Sequence, residues 1–167
     1  DLMGNGAIDA AFAADSGGSG NTRFTEIRAS ATGPLERITI SASIEGERLS
    51  LNTETMSLSL DALMEPSLLT VSTLDARTGS ATATLGAPVK VELGDGPTRL
   101  RNLDMRFDGE DGAGSLTGDM TLRSRAANIA VTITDAPLMI LSPLLPFEVL
   151  GGTLSGNLEL DSGRENA

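Results

Sequence analysis

Apolar and polar residues take turns along most of this chain, and the alternation restarts after short runs of Gly, Pro, Asp or Asn. A period of two sends successive side chains to opposite faces of an extended strand, so the pattern predicts a series of β-strands, each with one dry and one wet face. The clearest spans Glu36 to Glu45, where Ile38, Ile40, Ala42 and Ile44 share one face and Arg37, Thr39, Ser41 and Ser43 the other. A turn is predicted at Glu45-Gly46-Glu47, followed by Leu49 and Leu51, then Met56, Leu58 and Leu60. The rule recurs with Ala81, Ala83 and Leu85, with Val89, Val91 and Leu93, and with Leu103, Met105 and Phe107. It continues through Leu116, Met120 and Leu122, then Ile129, Val131 and Ile133, and finally Leu154, Leu158 and Leu160. Helical spacing is almost nowhere visible, which makes the predicted fold all-β.

Roughly twelve such segments, at about 4.8 Å each, would make a sheet on the order of 55 Å long. So long an antiparallel or mixed sheet is expected to curl, split or become a solenoid. An internal repeat supports stacked units: Gly114-Ser115-Leu116-Thr117-Gly118-Asp119-Met120-Thr121-Leu122 matches Gly152-Thr153-Leu154-Ser155-Gly156-Asn157-Leu158-Glu159-Leu160, 38 residues later. Residues 1–167 therefore read as one section of a longer repetitive protein, with units near 4–113, 114–151 and 152–167. Gly118 and Gly156 fall where an inward side chain would point, and each predicts a bulge or a close backbone approach. Two segments break the rule. Asp15 to Asn21 (DSGGSGN) has the composition of a flexible loop. Pro137 to Pro146 (PLMILSPLLP) predicts a short helix or turn covering an end of the sheet.

Composition removes most chemistry. The 167 residues contain no Cys and no His, so thiolate sites, disulfides and the commonest general base and metal ligand are all missing. Twelve cations, Lys90 the only lysine among them, stand against 23 acids for a net charge of -11, which argues against nucleic acid and anionic membrane surfaces as partners. With no Trp, no Tyr and four Phe, aromatic sugar platforms, the girdles of a transmembrane barrel and the buried Trp of an immunoglobulin sandwich are absent too. No enzymatic role, cofactor or metal is expected. The best metal candidate, Asp108-Gly109-Glu110-Asp111-Gly112, spaces oxygen ligands with glycine as calcium loops do, but the spacing is not that of an EF-hand, and a solvated hairpin turn explains it as well. Gly94-Asp95-Gly96-Pro97 is read as another turn. The Arg99-Leu100-Arg101 and Arg123-Ser124-Arg125 pairs are either anion contacts or ordinary wet-face arginines.

The apolar stripe has two readings. One is a core covered by a second sheet or helix. The other is an open groove of flexible aliphatic side chains, which suits acyl chains because they need area and no directional bonds.

The glycine-spaced repeat, the LRNLDMRF stretch from Leu100 to Phe107, and PLMILSPLLPFEVLGGTLSGNLELDSG from Pro137 to Gly163 together resemble the TamB family of the wider AsmA-like group. Pro34-Leu35 ahead of the Ile38 to Ile44 strand fits the same family pattern. The resemblance covers most of residues 30 to 161. It implies a long curled sheet, the β-taco, whose concave face is a hydrophobic groove. It also implies a periplasmic bridge in Gram-negative bacteria, the parent protein anchored in the inner membrane and meeting a TamA-like barrel in the outer membrane through regions outside this chain. The role implied is non-enzymatic: phospholipid acyl chains carried between the membranes in support of outer-membrane biogenesis. Ile38, Ile40, Ile44, Leu49, Leu51, Met56, Leu58, Leu60, Val89, Val91, Leu93, Leu103, Met105, Phe107, Leu116, Met120, Leu122, Ile129, Val131, Ile133, Leu154, Leu158 and Leu160 would line the groove. Two alternatives stand beside it: a chaperone-like groove that assists assembly or secretion of outer-membrane β-proteins such as autotransporters by β-augmentation, and a structural β-solenoid or adhesin stalk with a closed core.

Overall fold

The computed structural model describes residues 6–19, 22–49, 53–123, 126–140 and 151–162. They build β1 (Ala7–Ala14), β2 (Gly17–Ser19), β3 (Thr22–Pro34), β4 (Ile38–Arg48), β5 (Glu54–Glu65), β6 (Leu68–Thr78), β7 (Ala81–Leu85), β8 (Val89–Glu92), β9 (Thr98–Gly109), β10 (Gly112–Arg123), β11 (Ala126–Pro137) and β12 (Thr153–Asp161). All belong to one sheet, ordered β1-β3-β4-β5-β6-β7-β9-β10-β11-β12. Every pairing is antiparallel, so the mixed alternative is not realised. Short connections between neighbours make the sheet a meander, the pattern expected when tight turns join successive strands.

Two positions in the sheet are each filled by a pair of short strands. β7 and β8 both lie between β6 and β9, β7 against Asp75 to Thr78 and β8 against Leu68 to Val71. The break between them is closed by the Gly86 N–H donating to the Asp104 carbonyl at 2.8 Å. Likewise β2 runs beside the start of β3 while β1 runs beside the rest. Part of the segment predicted as a loop is thus an edge strand: Gly17 to Ser19 is small enough to follow β3, and backbone pairing outweighs its low strand propensity.

Four β-bulges keep the faces aligned. In each, two residues of one strand oppose one of the other. They occur at Thr25 of β3, Ser72 of β6, Arg101-Asn102 of β9 and Thr134-Asp135 of β11. Across each bulge the apolar residues lie three apart rather than two: Phe24 and Ile27, Val71 and Leu74, Leu100 and Leu103, Ile133 and Ala136. Asn102 (φ 55°) and Asp135 (φ 48°) take left-handed backbone that short polar side chains tolerate. Side chains opposite satisfy both: Asp119 Oδ1 accepts the Asn102 N–H at 2.8 Å, and Ser155 Oγ accepts the Asp135 N–H at 2.7 Å while donating to Asp135 Oδ1 at 2.9 Å.

Glu45-Gly46-Glu47 is not a turn, because β4 continues through it to Arg48. Gly46 lies opposite both Phe24 and Met56, and a Cβ there would sit 2.6 Å from the Arg23 carbonyl oxygen. The glycine serves close approach beside the Thr25 bulge, not chain reversal. The two repeat glycines diverge. A Cβ on Gly118 would meet the Ala130 carbonyl oxygen at 2.6 Å and Val131 Cγ2 at 3.0 Å, whereas nothing lies within 4 Å of the Cβ position at Gly156.

Among the described residues the buried apolar ones are few and mostly alanine: Ala62, Ala81, Ala83, Val89, Phe107 and Ala136. Ala83, Phe107 and Ala136 form the core cluster, with Ala76, Met105, Leu116, Ile133 and Ile140 against it. Ile140 belongs to a single 3-10 turn at 138–140 that follows the fully buried Pro137. The turn is tied down where the Leu138 N–H donates to the Gly152 carbonyl at 2.9 Å and Asp111 Oδ2 accepts the Gly152 N–H at 2.8 Å. The expected cover at one end of the sheet is therefore present in 137–140; residues 141–150 lie outside the described residues.

Candidate functional site

Directly opposed residues in a sheet point to the same side, so the pairing register shows which predicted stripe residues share a face. Met64, Leu69, Val91 and Leu100 fall in one row beside Ile38, and the row runs on through Met120, Ile129 and Leu160. A second joins Ile44, Leu58, Ala76, Ala83 and Phe107. A third joins Leu85, Met105, Leu116, Ile133 and Gly156, and a fourth Leu103, Gly118, Val131 and Leu158. Ile40, Met56, Leu60, Val89, Leu122 and Leu154 occupy the same side by parity or direct pairing. Twenty of the proposed groove residues thus lie on one continuous face. Of the other three, Leu49 lies beyond β4 and is 50% exposed, Leu93 follows β8 with its N–H on the Ser67 carbonyl, and Leu51 lies outside the described residues.

The face is wider than predicted. β1 and β3 add Ile8, Ala10, Phe12, Ile27, Ala29 and Ala31, and β6 adds Leu69, Val71 and Leu74. Parts of it are open. Leu58, Leu122 and Leu154 remain 37%, 38% and 37% exposed, and Leu158 on the edge strand 57%. The face is largely apolar but not wholly so, since the buried Thr78 and Arg48 fall on the same side.

The opposite face is wet and modestly ordered. Asp61 Oδ1 accepts the Ser41 hydroxyl at 2.7 Å and Oδ2 that of Thr73 at 2.9 Å, hydrogen bonds that hold the carboxyl below its ordinary range. Arg28 pairs with Glu26, Arg99 with Glu92 at 3.5 Å and Arg106 with Asp104 at 3.8 Å. Such exposed pairs order the surface and add little stability. The surface hollows do not follow the stripe. The one of about 500 Å³ takes Phe12, Ala29, Ala42 and Leu60 from the apolar face but eight residues from the wet one, among them Arg28, Ser41 and Asp61. What the molecule presents is therefore an apolar area, not an enclosed pocket.

The calcium candidate is a hairpin turn between β9 and β10. Asp108 Oδ1 accepts the Gly109 N–H at 3.1 Å and Asp111 is committed to Gly152. Among the described residues no three acids converge as metal ligands would. Compared with family models, with curated proteins and with solved structures, the chain finds no match.

Proposed function

We propose that this chain is a section of a periplasmic lipid conduit: acyl chains of phospholipid lie against the apolar face while head groups stay in water at its margin. One observation carries the reading, the alignment of twenty predicted residues on a single face where Leu58, Leu122 and Leu154 stay more than a third exposed. The resemblance of Pro137 to Leu160 and of Leu100 to Phe107 to the TamB family supports the setting, an inner-membrane-anchored parent protein whose other regions meet an outer-membrane barrel.

Energetics favour passage over capture. Burial of acyl chain contributes about 0.8 kcal/mol per methylene, and an anionic head group gains little from a surface of net charge -11. Hydrophobic contact without directional bonds lets a chain slide from row to row. Nothing in the mechanism asks for a proton donor, a nucleophile or a cofactor.

Native mass spectrometry of the purified chain tests the proposal: the parent carries phospholipid, and Ile40→Arg or Val91→Arg loses it while keeping the far-UV signal of a β-sheet. Absence of lipid from the parent, or a photocrosslinker at Met105 that traps peptide instead of lipid, contradicts it.

A further inference from the structure

Directly opposed residues on neighbouring strands carry their Cβ atoms about 5 Å apart on one face, so a charge on one is felt by the other. Among the described residues five such positions join two charged side chains. Arg23 faces Glu47, Arg48 faces Glu54 and Arg99 faces Glu92, each with opposite signs. Glu26 faces Glu45, and Arg28 pairs with Glu26. The fifth is Lys90 of β8 against Arg101 of β9, two cations directly opposed.

Both are exposed, and among the described residues neither has an ion-pair partner. In a chain of 23 acids and 12 cations that is not for want of carboxylates. Three lie nearby, and each is engaged elsewhere. Glu92, two residues along β8, pairs with Arg99 at 3.5 Å. Asp104, three residues along β9, pairs with Arg106 at 3.8 Å. Asp119, opposite the Arg101-Asn102 bulge, accepts the Asn102 N–H at 2.8 Å, where Asn102 holds left-handed backbone (φ 55°). A bulge re-aims the side chains beside it. This one leaves Arg101 against Lys90 and commits the nearest acid to the backbone.

Like charges directly opposite are destabilising, so the pair on its own costs stability. We propose that Lys90 and Arg101 form a binding site for a phosphate group. Arg101 offers a planar fork of donors and Lys90 a compact positive charge, and a tetrahedral anion between them turns one repulsion into two attractions. The Arg99-Leu100-Arg101 motif is thereby divided: Arg99 makes an ordinary cross-strand pair, and Arg101 is the anion contact. Val91 and Leu100 point the other way, so the site lies on the wet face and does not rest on the conduit reading. Two sources carry such a group, a small phosphate compound in solution and a phospholipid head group.

Thermal unfolding in sodium phosphate against sodium chloride at matched ionic strength tests the site. The parent should melt higher in phosphate. Lys90→Glu, which sets an opposite charge against Arg101, should melt higher than the parent in chloride and lose the response to phosphate. In amide NMR, inorganic phosphate should shift Lys90 and Arg101, with a dissociation constant about tenfold weaker in Arg101→Gln and unchanged in Arg77→Gln. Flotation with phosphatidylglycerol vesicles that Lys90→Glu abolishes assigns the head group as the source, whereas a phosphate response without flotation assigns a small soluble compound. Equal melting of the parent in phosphate and chloride overturns the proposal, as do phosphate shifts that survive Arg101→Gln. Lipid carriage by the apolar face is a separate readout, so failure here leaves the conduit reading standing.

Discussion

The corner formed by β7, β9 and β11 and the broad stretch of β3 to β5 are made from the same alternating pattern, yet among the described residues the core cluster lies at the corner. At the corner Phe107 is 7% exposed and lies against Ala83 and Ala136, with Ile140 of the 138–140 turn closing over them. On β5, Leu58 faces the same side but stays 37% exposed. The difference is covering material. One short segment, 137–140, supplies it at the corner, and Leu58 is not among the residues packed against that cluster. Packing and exposure are thereby assigned to different parts of one face.

If that contrast is right, substitutions of similar kind should differ in cost. Phe107→Ala should destabilise by about 3–5 kcal/mol, since it empties the core cluster formed with Ala83 and Ala136. Urea unfolding followed by circular dichroism measures this, and a cost near that of a surface residue would erase the distinction. Leu58→Ala should cost about 1 kcal/mol, because a half-exposed side chain loses only part of its burial. A value equal to that of Phe107→Ala would mean that something covers β5.

The smallest effect concerns the wet side. The Ser41 hydrogen bond, then that of Thr73, lowers the Asp61 pKa below its ordinary value of 3.8. A depressed pKa in the folded state contributes stability above the unfolded-state value, lost as pH falls through the folded one. The parent should therefore exceed Asp61→Asn slightly in melting temperature at neutral pH, with the gap closing below pH 3.8. A gap that persists in acid would assign the effect to something other than ionisation.

Much of the fold was legible because period-two alternation is strong where the apolar residues are large, as in Ile38 to Ile44, Met56 to Leu60 and Ile129 to Ile133. It faded for two reasons. In β1 and β3 half of the apolar-face positions are alanine, Ala10, Ala29 and Ala31, whose contrast with Ser and Thr is slight. In β6 the Ser72 bulge shifts the phase, so Leu69 and Val71 are odd-numbered while Leu74 and Ala76 are even. An apolar spacing of three inside a strand is the signal that would have found this bulge and the three like it. Gly46 misled because glycine marks close approach as readily as a turn. The candidate site was legible as a stripe, whereas which of its residues are packed and which exposed depends on contacts distant in sequence.

Single cysteines introduced into the cysteine-free chain test the central claim most directly. At neutral pH and without lipid, a thiol at Leu58 should react with a maleimide close to the rate of a free thiol, and one at Phe107 far more slowly. Phospholipid should then protect the Leu58 position. Equal and strong protection at both positions before lipid is added would mean that the whole face is a closed core, and would contradict the account.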